Sequence, residues 1–275
     1  MKSICNGKRY ISTNMADSKK IVLIGAGNVA THLGLSLQQK GCEVVQVYSR
    51  TSESASLLAD MLGVPYATSL AEVVCDADIY IVALKDAVFQ ELLPVIIKGR
   101  EKALFVHTAG SLPMSLWEGA VSRYGVLYPM QTFSKQRAVN FEEVSFFVEA
   151  SGVEELDTLK GLAGLLSPRV YEANSEQRKY LHLSAVFACN FTNHMYALSA
   201  HLLKRQHLPF EAMLPLIDET SRKVHELLPQ DAQTGPAVRG DHNVMSNHLD
   251  LLCDEPEIKE LYEKISESIS RMNKV

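Results

Sequence analysis

The sequence has little that would suit it to an oxidising or lipid environment. Its five cysteines, Cys5, Cys42, Cys75, Cys189 and Cys253, are scattered without a CxxC pair. That excludes a disulfide framework and a cysteine zinc site, and a reducing, cytoplasmic setting is expected. No apolar run approaches the length of a membrane-spanning helix, and the opening "MKSICNGKRYISTN" lacks the apolar core of a signal peptide. Residues 1–18 are read as a loose N-terminal extension. Positive charge is also short. A net charge of −5 leaves no electrostatic footprint for nucleic acid or an anionic membrane surface, so neither is expected as a partner. His194 and His201 have no HExxH motif or carboxylate cluster beside them, and no metal is expected.

What is present suffices for a sizeable core. Hydrophobic residues make up 47% of a 275-residue chain, a length natural for two domains. The strongest local signal is "KKIVLIGAGNVATHLGLSLQQKG". Residues 21–24 are apolar and mostly β-branched, as in a buried parallel strand. Gly25 and Gly27 then turn the chain into a helix expected to reach about Lys40 and to stop at Gly41. Gly25, Ala26, Gly27, Asn28, Val29 and Ala30 form a G-x-G-x-x-A pattern. The first glycine turns the chain, the second admits a pyrophosphate to the backbone, and the small third residue lets helix and strand pack closely. A dinucleotide site follows from that context.

The second strand, "CEVVQVYSR", indicates which dinucleotide. NAD sites usually place an acid at its end, to accept from the ribose 2′-OH. Here Ser49, Arg50 and Thr51 stand there instead. A guanidinium with two hydroxyls suits a 2′-phosphate, so NADP(H) is the expected cofactor.

"VPYAT" precedes a helix expected from Ser69 to about Cys75, and "DIYIVAL", "ALFVHTAGS" and "YGVLYPMQTF" are further strands. "SFFVEA" and "PRVYEA" flank a helix expected from about Val153 to Leu166 and extend the sheet. The fold class is thus α/β: a doubly wound, mostly parallel Rossmann sheet over residues 19–172, followed by an all-helical domain over 173–275. Ligands bind outside the carboxyl ends of strands in such sheets. Leu84, Lys85, Asp86, His107, Thr108, Ala109 and Gly110 are therefore candidates to line the cofactor. For His107 a core histidine is an equal reading. Residues 128–133, with Gln131 and Thr132, are candidates for the nicotinamide and substrate side.

From Ala173 the strand runs cease. "SEQRKYLHLSAVFACNFTNHMYALSAHLLKRQ" reads as one long helix, with His182, Val186, Asn190, Asn193 and His194 on or near one face. Buried Asn and His in so apolar a helix would need partners, either in a polar cleft or in a dimer core. Helix is also expected from Pro209 to about Leu228 and from Pro256 to the end. Between them "QTGPAVRGDH" forbids a continuous helix, because Gly235 is flexible and Pro236 lacks an N–H.

A glycine-rich NADP fold followed by a helical domain with one long leading helix resembles the 6-phosphogluconate dehydrogenase-like superfamily, with its pyrroline-5-carboxylate and ketopantoate reductases. "YPMQTFS", "HLSAVFACNF" and "TGPAVRGD" are more closely similar to a bacterial family of Rossmann-like oxidoreductases. The resemblance covers nearly the whole chain. It implies a homodimer through the helical domain. It also implies a glycine-proline loop that puts Thr234, Gly235 and Arg239 over a small substrate's carboxylate, with Asp241 orienting Arg239. Dehydrogenases of the superfamily often carry a lysine followed four residues later by asparagine on the long helix. Here that lysine is absent, and His182 with Asn190 takes the comparable face. The reading is an NADP-dependent oxidoreductase acting on a C=N or C=O bond, with His182 as proton donor and Asn190 as orienter. A non-catalytic dinucleotide sensor and, less favoured, an S-adenosylmethionine methyltransferase are the alternatives.

Overall fold

A computed structural model of the chain describes residues 19–272. The extension over residues 1–18 lies outside them. The chain divides into two compact units, the first ending at Cys189 and the second beginning at Asn190.

The first unit is built on alternating strands and helices. Strand β1 (Lys20–Ile24) leads through the glycine turn into helix α1 (Asn28–Gln39), followed by β2 (Glu43–Tyr48), α2 (Ser52–Leu62) and a two-residue β3 (Tyr66–Ala67). Then come β4 (Ile79–Val82), α3 (Asp86–Ile97), β5 (Leu104–His107), β6 (Tyr124–Met130), β7 (Ser145–Ala150), α4 (Val153–Leu166), β8 (Val170–Glu172) and α5 (Ser175–Ala185). The eight strands form one sheet in the order β3-β2-β1-β4-β5-β6-β7-β8. Only the β6–β7 pair is antiparallel. Consecutive strands run outward from β1 in one direction and from β4 in the other. The gap between those two carboxyl ends is the switch point at which doubly wound sheets take ligands.

Both sheet faces are covered, and the strand period of two sorts the side chains between them. Ile21 and Leu23 join Leu33, Leu37, Val106, Leu127 and Leu159 on one side. Val22 and Ile24 join Tyr80, Phe89, Phe105 and Trp117 on the other.

The segment from Ser69 to Cys75 departs from expectation, forming only a short 3-10 turn at Leu70–Glu72. The buried Arg100 guanidinium holds the carbonyls of Leu70, Val73 and Val74, so they are spent on a side chain rather than on a helix ladder. Helix α3 was not foreseen. The division between the units also falls later than Glu172, because α5 belongs to the sheet unit. Its Arg178 is 0% exposed, ion-paired to Glu149 of β7 and donating to the Leu112 carbonyl. Asn174 and Gln177 close a reciprocal capping box at the start of α5.

The expected single long helix is interrupted. Between α5 and α6 (Thr192–Arg205) lies a π-helical segment, Val186–Phe191. Its wider turn breaks the spacing on which the one-face reading rested. Asn190, Asn193 and His194 are exposed rather than buried. In the second unit α6 is followed by a 3-10 turn (Phe210–Met213), α7 (Leu214–Glu226), α8 (Pro229–Ala232), α9 (Pro236–Arg239), α10 (His242–Leu251) and α11 (Pro256–Met272). Ala237, Leu252 and Ser266 are its buried residues among those described, while Leu216, Leu228 and Leu251 are exposed. No helix among the described residues is long and apolar enough to cross a membrane.

Candidate active site

The glycine turn is tight at its first glycine and open at its second. Gly25 has φ +120°, and a Cβ there would sit 2.4 Å from the Ala83 carbonyl oxygen, so no other residue fits. Its N–H donates to the Tyr48 carbonyl at 2.7 Å, tying β1 to β2. Gly27 is different: an added Cβ would meet nothing within 4 Å. The space above it is open, and Gly27 caps α1 without any side-chain bond to the helix N–H groups. Those groups and the positive end of α1 suit a pyrophosphate, and Ala30, fully buried, lets the helix approach the sheet. Ala26 is buried and Val29 half-buried. Asn28 turns aside, donating to the Phe133 carbonyl at 2.8 Å, and His32 lies 2.8 Å from the Ser134 carbonyl. Together they tie the glycine turn to the loop after β6.

Ser49, Arg50 and Thr51 follow β2 as expected. Arg50 is exposed, and no carboxylate pairs with it among the described residues. Thr51 caps α2 with no side-chain bond. An unpaired guanidinium beside an open helix N-terminus is the donor set that a ribose 2′-phosphate requires.

At the ends of β4 and β5, Leu84 is half-buried and Lys85 and Asp86 are exposed. Ser111 donates to the Asp86 carboxylate, joining the two loops. His107 proves to be the core histidine. The alternation of β5 turns it away from the cofactor edge, 0% exposed, against Phe89 and Trp117 with ring centroids 5.7 and 6.3 Å away. Its Nδ1 accepts from the Ala109 N–H at 3.3 Å, a weak interaction with the Pro113 backbone opposes the loss of its charge, and the Trp117 Nε1 and the Arg178 Nε have no hydrogen-bond partner. Burial, helped by the Arg178 charge, pushes its pKa down to about 3, so the ring is neutral. Thr108 and Gly110 are buried and Ala109 half-buried.

Beside Gly110 the geometry is tight. A Cβ on Gly110 would stand 2.8 Å from Tyr128 Cζ and 2.9 Å from His182 Nδ1. Tyr128 Oη and His182 Nδ1 are themselves 3.4 Å apart. Tyr128 is buried and His182 exposed, so the histidine is the member of the pair that solvent reaches. Burial raises the Tyr128 pKa, against an opposing pull from Arg178, and keeps the phenol protonated at neutral pH. Residues 128–133 are expected at the nicotinamide side, and the Tyr128 phenol is the group among them that meets His182. The place of Tyr128 at the carboxyl end of β6, just before Gln131 and Thr132, was the signal. Those two are exposed, with Gln131 Oε1 accepting from the Thr132 N–H at 2.7 Å and from its hydroxyl at 3.2 Å.

In the second unit the "TGPAVRGD" segment is a single helical turn rather than an open loop. Gly235, with φ +114°, leads from the exposed Thr234 into α9, and Gly240, with φ +66°, ends it. Asp241 does not orient Arg239. Its carboxylate caps α10, accepting from the Val244 N–H at 3.2 Å. Arg239 is exposed at the rim of a cavity of about 610 Å³ that His242, Tyr262, Glu263 and Arg271 also line. His201 is engaged elsewhere, 2.7 Å from Glu255.

A forced glycine, an open glycine and a switch point in a doubly wound sheet define a Rossmann dinucleotide-binding protein. Residues 20–109 match the family described as NADP oxidoreductase, coenzyme F420-dependent, and residues 144–269 match a domain of unknown function, DUF2520. The chain is similar to an inferred NADP oxidoreductase from Bacteroides fragilis, at 62% identity over 92% of this chain and 98% of that one, with a TM-score of 0.89. It shares its fold with an imine reductase from Myxococcus stipitatus in complex with NADP+, at 16% identity over 93% of each chain and a TM-score of 0.63. The fold also recurs in a 1-pyrroline-5-carboxylate reductase from Streptococcus pyogenes, at 15% identity over 92% of this chain and 98% of that one, with a TM-score of 0.62. Among curated proteins none matches. The chain belongs to the Rossmann-like NADP oxidoreductase family, an enzyme family whose cofactor is NADP.

Proposed function

We propose that this protein moves hydride between NADP(H) and a C=N or C=O carbon of a small, carboxylate-bearing metabolite. The observation that carries the reading is the Tyr128–His182 pair, set beside Gly110 at the same sheet edge as the open glycine. Bound nicotinamide supplies the hydride. The chain's own residues then have three tasks: to hold the cofactor, orient the substrate and deliver a proton. Gly27 and the start of α1 take the pyrophosphate, and Ser49, Arg50 and Thr51 take the 2′-phosphate. Leu84, Lys85, Asp86, Thr108 and Ala109 border the cofactor, and Gln131 and Thr132 border the substrate. His182, exposed and within reach of solvent, is the proton donor, and Asn190 is the candidate orienter. Thr234, Gly235 and Arg239 are assigned to the substrate carboxylate. The imine and pyrroline-carboxylate reductases of the same fold make C=N the first bond to try.

The protein works in this reading as a homodimer. The second unit leaves Leu216, Leu228 and Leu251 exposed and has almost no core of its own, so a second copy is the economical cover. The exposed thiols Cys75, Cys189 and Cys253 suit a reducing cytoplasm. Light scattering at micromolar concentration tests the assembly, and a monomer refutes it. Titration with NADPH, NADH and S-adenosylmethionine tests the cofactor, and turnover of cyclic imines and keto acids tests the chemistry. Binding of NADPH without turnover of either class would make the chain a dinucleotide sensor instead.

A further inference from the structure

We infer that Tyr128 is a positioning residue that holds the His182 ring in one tautomer, with Nδ1 bound to the phenol and the proton on Nε2. The inference rests on the reading of His182 as proton donor. An exposed imidazole on a helix is free to rotate about its side-chain torsions and to carry its proton on either nitrogen. His182 has lost that freedom. Its Nδ1 lies 3.4 Å from Tyr128 Oη, and the two rings meet edge to face with centroids 6.3 Å apart.

The phenol is fixed in turn. Tyr128 is 8% exposed, sits on β6 and packs against Phe147 of β7, so it cannot follow a wandering histidine. A protonated phenol facing Nδ1 donates to it, which leaves the N–H on Nε2. That nitrogen is the one not engaged by Tyr128.

Gly110 is the second, independent observation. Any side chain at that position would enter the space of Tyr128 Cζ and of His182 Nδ1 and Cβ, at 2.8, 2.9 and 3.0 Å. No positive φ requires glycine there, so the closeness of the two side chains is what requires it. The loop after β5 is thus shaped to let the pair meet. When the neutral ring takes up a proton at Nδ1 and becomes the imidazolium that donates from Nε2, the Tyr128 hydroxyl can rotate from donor to acceptor for that Nδ1–H, because a hydroxyl serves both roles. The ring therefore keeps its orientation in both protonation states.

The test needs no substrate. Full-length protein with isotope-labelled histidine is measured by long-range proton–nitrogen correlation at about pH 8.5, well above the ordinary histidine pKa of about 6.5. His182 is assigned from its loss in His182→Gln. In the wild type its two nitrogens should lie at the widely separated positions of a single Nε2–H tautomer. In Tyr128→Phe they should shift toward each other as the tautomers mix. Gly110→Ala should give the same shift with the phenol still present, and so covers the case in which Tyr128→Phe does not fold. An identical His182 pattern in wild type and both variants overturns the inference. NADPH titration of the same samples keeps the two readings apart: failure to bind sinks the proposed function, whereas unchanged nitrogen positions sink only the role of Tyr128.

Discussion

Lowering the pH from 7 to 5 should cost this protein about 2 kcal/mol of stability through His107 alone. The ring is sealed against Phe89 and Trp117, and burial holds its pKa near 3. An unfolded chain offers a histidine of pKa about 6.5. Between those values the unfolded state takes up a proton that the folded state refuses. The stabilisation is therefore complete above pH of about 6.5 and is lost as the pH falls toward about 3. At pH 5 the loss is RT ln(1 + 10^1.5), about 2 kcal/mol, and it does not depend on the folded value so long as that lies well below 5. His107→Phe keeps a ring in the cavity but cannot titrate. It gives up the acceptor for the Ala109 N–H, which lowers stability by about 1 kcal/mol at every pH. Urea unfolding followed by circular dichroism, at pH 7 and pH 5, separates the two effects. The drop between the two pH values should be about 2 kcal/mol smaller in the variant than in the wild type. Equal drops in the two proteins would refute the reasoning, because His107 would then already be protonated in the fold or reached by water.

Other outcomes follow from the site and its supports. Arg50→Ala should shrink the preference for NADPH over NADH by roughly 1.5 to 3 kcal/mol in binding, as for a lost charged hydrogen bond; equal affinities in the wild type would sink the assignment. Arg178→Met should destabilise by roughly 3 to 5 kcal/mol in urea unfolding, because it leaves the Glu149 carboxylate without its countercharge and the Leu112 carbonyl without its donor. With a substrate in hand, Arg239→Ala should raise KM, and Arg239→Lys should recover only part of it, since an ammonium keeps the charge and loses the fork. His182→Ala should lower kcat with NADPH affinity unchanged.

The features legible in the sequence are those fixed by neighbours along the chain. Residues 21–30 announce strand, turn and helix within one short stretch, although the Ala83 carbonyl that forces Gly25 lies far along the chain, just past β4. The strand pattern gave the sheet, down to α4 at Val153–Leu166. Features made by distant residues were not legible. Tyr128 and His182 meet across 54 positions. Arg100 consumes carbonyls some 26 to 30 residues away and so prevents a helix that local propensity favoured. Apolar periodicity likewise could not say whether the helix face at residues 190–194 is covered by its own chain, and the structure leaves it exposed. Asp241 was misread although its signal was local, since an aspartate followed by His242-Asn243-Val244 is an ordinary helix cap.

The sequence contains a single tryptophan, and the fold seals it beneath the carboxyl end of β5. Trp117 lies edge-on to Phe89 at 5.1 Å and stacks on His107, out of contact with water and with its indole N–H unpartnered. Such an indole emits toward the blue, and its emission overlaps the absorption of reduced nicotinamide but not of the oxidised form. The protein therefore carries an internal light donor beside its own cofactor edge. Every photon passed to a bound NADPH would report occupancy, and a loss of that transfer during turnover would report the moment of oxidation, with no label attached to the chain.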